Sequence, residues 1–363
     1  MAPYILVFAW VLLVSVAARS GCGQVALAHK VPSLLGAPVL AVIAGAPLIA
    51  LHAFRRDVGT DYASYVEIYE RFIDGASVWW YEPLYSIVNI LATPAGSAGV
   101  VVVFAIAAVL SSVPVLVRVF QLSPAPWLSV VALFAIGYPF MQTNAVRSVI
   151  AVSIVFFVLP MVWRKKPWHW LAGGVLAAGF HYTALFVLPF YWLLRWNMHV
   201  VWAAGLLGAA VVLSTQKQVA LLFLEIAPAL LPSAYANYPG QVAARLGDFG
   251  LSPGSAWYMA SALMVLFVWQ RVARLGEAET VVRNAFFFGL LVLVATSQFW
   301  VVGRIGWFFY IAGVLFWPIV VCRLVNAGRG LVALGVAAVH LVLLAYFYVI
   351  GAHDAVPYQS IWN

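Results

Sequence analysis

Apolar stretches about as long as one bilayer crossing follow one another along this chain, separated by short polar connections. Hydrophobic residues make up 65% of the sequence and charged residues only 8%, whereas globular proteins carry about 25% charged residues. A membrane-spanning helix needs about 20 apolar residues, so the 363 residues accommodate about twelve helices with their connections. We therefore predict an all-α, polytopic helical membrane protein in which residues 1–363 form a single integral membrane domain.

Basic residues occur in alternate connections along the chain, which predicts its orientation because short cytoplasmic loops carry an excess of Lys and Arg. Placing all the basic loops inside puts both termini outside. Cys22 and Cys322 then fall on the cytoplasmic side, where thiols stay reduced, so we expect no disulfide. The predicted spans are 3–19, 33–53, 97–117, 126–142, 146–163, 167–181, 183–195, 199–215, 255–271, 284–303, 305–322 and 330–350.

The unusual polar residues all fall on the outer side of this arrangement. Its two long connections are residues 54–96 and 216–254, and the first of them concentrates six of the eleven carboxylates of the chain between Phe54 and Glu82. Aromatic residues spaced by three, four and three positions indicate a short interfacial helix there, with its aromatic stripe in the headgroup layer. The stripe consists of Tyr62, Tyr65, Tyr69 and Phe72.

Five polar residues on the outer side are candidates for chemistry, and each also has a plain structural interpretation. Asp61 could be simply the N-cap of the interfacial helix, and Glu82 could be a solvated residue before a helix that begins with proline. Arg147 opens a very apolar helix, so it either snorkels to the surface or faces a polar cavity. His181 could be a hydrogen-bonded core residue, and Arg304 a simple anchor at the end of a helix.

Sequence marks of a soluble catalytic domain are missing: the chain contains no GxGxxG, P-loop, HExxH, GxSxG or CxxC motif. Any chemistry must therefore be assembled between helices. The formal net charge of +8 is explained by cytoplasmic loops that face anionic headgroups, so a nucleic-acid partner is not expected. We expect the lipid bilayer as the surrounding medium and no cofactor.

Several short sequence motifs along the chain resemble those of a known family. In their order and spacing over nearly the whole chain, they resemble the EpsG family of Wzy-like bacterial polysaccharide polymerases. This chain departs from the family where Arg-Gln is expected, because it has Val146-Arg147-Ser148, so no role for a glutamine can be carried over. The motifs are residues 57–65 (DVGTDYASY), 82–85 (EPLY), 147–151 (RSVIA), 180–185 (FHYTAL), Arg304 and Pro357-Tyr358.

The resemblance implies a multi-pass glycosyltransferase of the bacterial inner membrane with a GT-C-like arrangement and its active site on the periplasmic side. Its substrate would be an undecaprenyl-diphosphate-linked oligosaccharide, and the growing glycan would pass from that carrier onto the next lipid-linked repeat unit. A chain-length regulator is a further possible partner. No DxD motif is present, so arginines would replace a metal, and we expect metal-independent catalysis with no metal-binding residues.

This reaction needs a proton acceptor, fixed cations for the diphosphate, and polar or aromatic groups for the sugars. The predicted proton acceptor is Asp61, with Glu82 and His181 as the other candidates. The predicted diphosphate-binding residues are Arg147 and Arg304, helped by Arg55, Arg56 or Arg245, and the predicted sugar-binding residues are Asp57, Tyr62, Tyr65 and Tyr238.

Two other functions remain open at this point. A flippase for lipid-linked oligosaccharides would bind the same diphosphate, but it would need cations through the depth of a central cavity. A membrane O-acyltransferase would use His181 as a base on a hydroxyl group.

Overall fold

The chain is described by a computed structural model that covers residues 2–18, 36–75, 82–216, 253–273, 276–297, 300–349 and 354–362, together with residues 218, 222 and 225. Within these ranges the chain is helical, and its only extended pairing is an isolated bridge between Arg55 and Ser360. Two 3₁₀ helices, Thr93–Ala98 and Tyr182–Val187, accompany the α-helices. The α-helices are α1 (Ala2–Ala17), α2 (Gly36–Ala53), α3 (Tyr62–Ile73), α4 (Pro83–Ala92), α5 (Gly99–Leu122), α6 (Pro126–Ala135), α7 (Tyr138–Asn144), α8 (Val146–Val158), α9 (Pro160–Trp163), α10 (Pro167–Phe180), α11 (Phe190–Arg195), α12 (Val200–Thr215), α13 (Pro253–Ala273), α14 (Glu277–Ala295), α15 (Trp300–Tyr310), α16 (Gly313–Asn326) and α17 (Gly330–Val349).

Several of these helices are long and apolar enough to cross a membrane, which confirms the predicted class of all-α membrane protein. Among the described residues four segments meet this condition, and a fifth does so if the pair Val302–Tyr310 and Gly313–Asn326, bent by 45°, counts as one span. The predicted number of about twelve spans stays a prediction. The four segments are Gly36–Ala53, Pro83–Leu122, Val146–Trp163 and Glu277–Ala295.

Several of the predicted spans are interrupted, and two of them show why. The span predicted at 126–142 is divided into α6 and α7 by Gly137, which adopts φ 78° and ψ 19°, a left-handed conformation that glycine reaches without steric cost. The span predicted at 183–195 is a 3₁₀ helix followed by the six-residue α11. Hydropathy alone does not register such breaks, because the residues on both sides of each break are apolar.

The aromatic stripe of α3 turns toward the protein, so its predicted position in the headgroup layer is wrong. Tyr65 and Tyr69 are buried, and the Tyr69 hydroxyl lies 3.0 Å from the carbonyl oxygen of Ala92 and 2.7 Å from that of Gly96. The opposite side of the helix is exposed and carries an ion pair between Glu67 and Arg71. The stripe packs inward because the protein offers both apolar surface and hydrogen-bond acceptors for the phenol groups.

The C-terminal segment 354–362 lies along the connection that leads into α3. The Gly59 amide donates to the Asp354 carbonyl at 3.1 Å, the Arg56 amide to the Gln359 carbonyl at 3.1 Å, and the Ile361 amide to the Phe54 carbonyl at 3.0 Å. The Tyr358 hydroxyl also donates to the Leu51 carbonyl at 3.0 Å. These bonds hold the connection between α2 and α3 against the C-terminal segment.

Cys322, near the end of α16, is disulfide-bonded, so the expectation that the thiols are reduced is wrong. That expectation rested on the predicted compartment alone. The other cysteine, Cys22, lies outside the described residues.

Candidate active site

Glu82 is the centre of a buried polar cluster. Its Oε2 atom accepts a hydrogen bond from Nη1 of Arg147 at 2.7 Å, and its Oε1 atom lies 2.6 Å from Nδ1 of His181. The side chain of Glu82 is only 1% exposed, and those of Arg147 and His181 are 17% and 8% exposed. The alternative that Glu82 is a solvated residue is therefore wrong, and Arg147 faces the protein interior rather than only the surface.

All three residues lie where a helix begins or is interrupted. Glu82 has an extended backbone directly before α4, which begins with Pro83, a residue well suited to the first position of a helix because it lacks the N–H that would go unpaired there. Arg147 is the second residue of α8, after the non-helical Ala145. His181 has an extended backbone between α10 and the second 3₁₀ helix. These breaks turn three polar side chains toward one point between otherwise apolar helices.

Two tyrosines flank the arginine of this cluster. The guanidinium carbon of Arg147 lies 6.0 Å from the ring centroid of Tyr65 and 5.7 Å from that of Tyr85, within the range of cation–π attraction. Burial raises the pKa of the Tyr65 phenol, and the nearby Arg147 cation opposes this change. Tyr65 is therefore neutral, and its oxygen accepts a hydrogen bond from the guanidinium of Arg147.

Asp61 and Arg304 form a second pair at the same side of the molecule. Arg304 Nη2 lies 3.5 Å from Asp61 Oδ2, with side-chain exposures of 16% and 32%. Asp61 occupies the position before α3, but its side chain makes no capping hydrogen bond, so its carboxylate is not used as a helix cap. Tyr65 is close enough to both groups for the charges of Arg147, Asp61 and Arg304 to act on the pKa of its phenol.

The connection before Asp61 is held against the turn that precedes α8. The Thr60 hydroxyl donates to Oδ1 of Asn144 at 2.9 Å. Gly59 has φ 99°, and a Cβ atom there would lie 2.8 Å from the carbonyl oxygen of Thr143. Only glycine fits this close approach, so the backbone itself fixes where Asp61 points.

The other predicted binding residues of this connection contact different partners. Arg55 is 2% exposed, lies 4.1 Å above the ring of Phe104, and has its pKa lowered to about 10 by burial. Arg56 and Asp57 are exposed and lie 3.7 Å apart. Tyr62 is partly buried, with its ring centroid 5.4 Å from that of Phe104.

Two further predicted residues, Arg245 and Tyr238, lie outside the described residues. The structure adds two residues that the sequence interpretation did not place in the site: Tyr85 beside Arg147 and Asn144 beside Thr60. A signal for Asn144 was present, because it lies three residues before Arg147 in the polar turn between two apolar helices. For Tyr85 the signal was its place in the 82–85 stretch (EPLY) that carries the family resemblance.

The site brings a carboxylate–imidazole contact, two arginines and a partly exposed carboxylate to one place. Such a set can transfer protons and can hold an anionic group with the planar fork of arginine. Within the described part of the chain, no group of three His, Cys, Asp or Glu side chains comes together in a way that could hold a metal ion. Metal independence stays a prediction.

Comparison with known protein families gives one match. The model of the EpsG family matches residues 39–360, a range that contains both the Glu82 cluster and the Asp61–Arg304 pair. No curated protein and no solved structure gives a significant match.

Proposed function

The chain belongs to the EpsG family, which is related to Wzy-like polysaccharide polymerases, and we propose that it polymerises lipid-linked oligosaccharide repeat units. In this proposal it moves the growing glycan from undecaprenyl diphosphate onto the next lipid-linked unit at the periplasmic face of the bacterial inner membrane. The observation that supports it best is the Arg147–Glu82–His181 cluster beside the Asp61–Arg304 pair. That set provides cations and a proton acceptor in one place.

The proposed step forms one glycosidic bond and breaks one glycosyl–phosphate bond. A hydroxyl oxygen of the acceptor sugar attacks the anomeric carbon of the donor glycan, whose bond to the diphosphate oxygen breaks. The electron pair of that bond leaves with the undecaprenyl diphosphate, and the hydroxyl proton passes to the carboxylate of Asp61. Asp61 suits this role because its side chain is 32% exposed, against 1% for Glu82.

Glu82 acts as a positioning residue in this proposal. Both of its oxygens are engaged, one by Arg147 and one by His181, so it orients these two side chains rather than reaching the substrate. Arg147 and Arg304 hold the diphosphate, whose negative charge grows as the bond to the sugar breaks. His181 is the second candidate for the proton acceptor, because its contact with Glu82 through Nδ1 directs Nε2 away from the carboxylate.

The test is elongation of a defined lipid-linked repeat unit by the purified protein. Wild-type protein should produce a ladder of longer glycans, whereas a flippase would move the substrate without elongating it. Arg147→Lys keeps the charge but loses the planar fork, so it should slow elongation strongly. Arg71→Lys is a matched control, since Arg71 forms an exposed ion pair with Glu67. Normal elongation by Arg147→Lys and Arg304→Lys would contradict the proposed diphosphate site.

A further inference from the structure

A cleft with a volume of about 180 Å³ lies between α15, the end of α14 and the junction of α6 with α7. Gly303 and Trp307 of α15 line it, and Arg304 stands between them in the chain. The guanidinium carbon of Arg304 lies 5.9 Å from the centroid of the Trp307 ring, while Nη2 of the same side chain lies 3.5 Å from Asp61. Arg304 therefore connects the proposed proton acceptor with the wall of the cleft.

The walls of this cleft combine aromatic rings with hydroxyl groups. Tyr258 and Trp307 contribute rings, and Thr296 and Ser297 contribute hydroxyls at the end of α14. Thr296 donates its own proton to the Val292 carbonyl at 2.6 Å, so its oxygen is oriented to accept a hydrogen bond from a ligand. The described residues that line the cleft carry no charge, which makes it unsuited to a diphosphate.

The backbone keeps this space open. Gly137, in its left-handed conformation, separates α6 from α7 at one wall. At the other wall a Cβ atom on Gly303 would lie 3.4 Å from Oγ1 of Thr296 and 3.8 Å from Cδ2 of Leu293. A side chain there would thus occupy the mouth of the cleft without a severe clash.

We propose that this cleft binds one sugar ring of the lipid-linked oligosaccharide, an inference that rests on the proposed function and assigns a subsite to it. A pyranose ring has an apolar C–H face that packs on an aromatic ring and a rim of hydroxyls that exchange hydrogen bonds with Thr296 and Ser297. The cleft lies next to Arg304, so the sugar it holds is close to the ring that reacts at Asp61. The aliphatic lipid tail is the competing occupant, and the experiment separates the two.

The experiment measures binding of the lipid-free repeat oligosaccharide, released by mild acid from the lipid-linked pool of the native host, to full-length protein in detergent. Wild-type protein should bind it, Trp307→Ala should weaken binding about tenfold, and Trp307→Phe should restore most of the affinity. Trp192→Ala is the matched control, because Trp192 is 70% exposed and does not line the cleft. Undecaprenyl diphosphate without sugar should not compete.

Two results would overturn the subsite. The first is oligosaccharide binding that is absent or is unaffected by Trp307→Ala, and the second is competition by undecaprenyl diphosphate alone, which would indicate a lipid groove. A different result would contradict the polymerase proposal, namely that wild-type protein does not elongate the full lipid-linked unit. A further check is kinetic: Trp307→Ala should raise KM for the lipid-linked unit more than it lowers kcat. This is expected for a contact that is equally strong in the bound substrate and in the transition state.

Discussion

At the scale of single residues, the contact of Glu82 with Arg147 is the feature of the site most sensitive to mutation. A carboxylate that is 1% exposed is tolerable only because a cation and an imidazole face its two oxygens. Glu82→Gln removes the negative charge and leaves Arg147 without that charge partner, so we expect it to destabilise the protein by about 3 to 5 kcal/mol. Thermal unfolding in detergent measures this, with Glu67→Gln, in an exposed ion pair, as the control.

A double-mutant cycle sharpens this prediction. If the Glu82–Arg147 contact dominates, Glu82→Gln combined with Arg147→Gln should cost much less than the sum of the two single changes, because the double variant leaves no buried charge unpaired. Additive costs would show that the two residues act separately, and they would remove the positioning role proposed for Glu82.

Asp61 carries the second prediction at this scale. Asp61→Asn keeps the size of the side chain and its capacity to accept hydrogen bonds but cannot take a proton, so we expect folded protein that binds the lipid-linked unit while kcat falls about 10²- to 10⁴-fold. Asp74→Asn is the matched control, since Asp74 is exposed at the other end of α3 and has no part in the proposed site. Near-normal elongation by Asp61→Asn would transfer the role to His181.

At the scale of elements, the short connection between α2 and α3 depends on its glycine. Gly59→Ala meets both a positive φ of 99° and the Thr143 carbonyl at 2.8 Å, whereas Gly75→Ala meets a positive φ of 75° with no atom of the described residues within 4 Å. The backbone strain alone costs about 1 to 2 kcal/mol. We expect Gly75→Ala to show only that loss in thermal unfolding, and Gly59→Ala to lose more stability and also elongation, because Asp61 moves. Equal effects of the two changes would contradict the close approach.

The C-terminal segment should stabilise the same connection. Deleting residues 354–363 removes the carbonyls that accept from the Arg56 and Gly59 amides, so we expect trypsin to cut faster after Arg56, whose side chain is 59% exposed. Trp362→Ala removes only the ring contact with Phe54, whose centroid lies 4.7 Å away, and should change the cleavage rate little. A truncated protein that trypsin cuts at the wild-type rate would show that the connection is fixed without the C-terminal segment.

The sequence predicted the helical membrane class, many helix positions and most of the polar residues that the structure brings together. Composition and hydropathy suffice to predict the membrane class. Charged residues within apolar segments are candidates for function, because they are costly to place in a membrane. The sequence could not predict which of them pair, because the Glu82–His181 contact joins residues 99 positions apart. Nor could it show that Arg55 is buried or that Gly137 breaks a helix, since both depend on packing between distant segments.

At the scale of the whole molecule, the ion pairs among the described residues separate into two opposite ends. Segment Val146–Trp163 has 18 residues, or about 27 Å of helix at 1.5 Å per residue, close to the hydrocarbon thickness of about 30 Å. Arg147 stands at one end of it with the active-site cluster, and Lys165 follows the other end and pairs with Glu277 at 3.3 Å. Apolar side chains such as Leu331, 86% exposed, and Phe267, 71% exposed, lie on the surface and suit contact with lipid.

These two ends allow a direct test of the proposed orientation, in which the active-site end is periplasmic. Ser64 is exposed on α3 near Asp61, and Lys165 is exposed at the other end. With Cys22 and Cys322 replaced by serine, Ser64→Cys should react with a membrane-impermeant maleimide in cells whose outer membrane alone is open. Lys165→Cys should react only after the inner membrane is opened as well. Inverted inner-membrane vesicles should reverse the two results, which controls for a thiol that is unreactive for local reasons. The opposite pattern would place Asp61, Glu82 and Arg147 in the cytoplasm and would contradict a polymerase that acts on the periplasmic side.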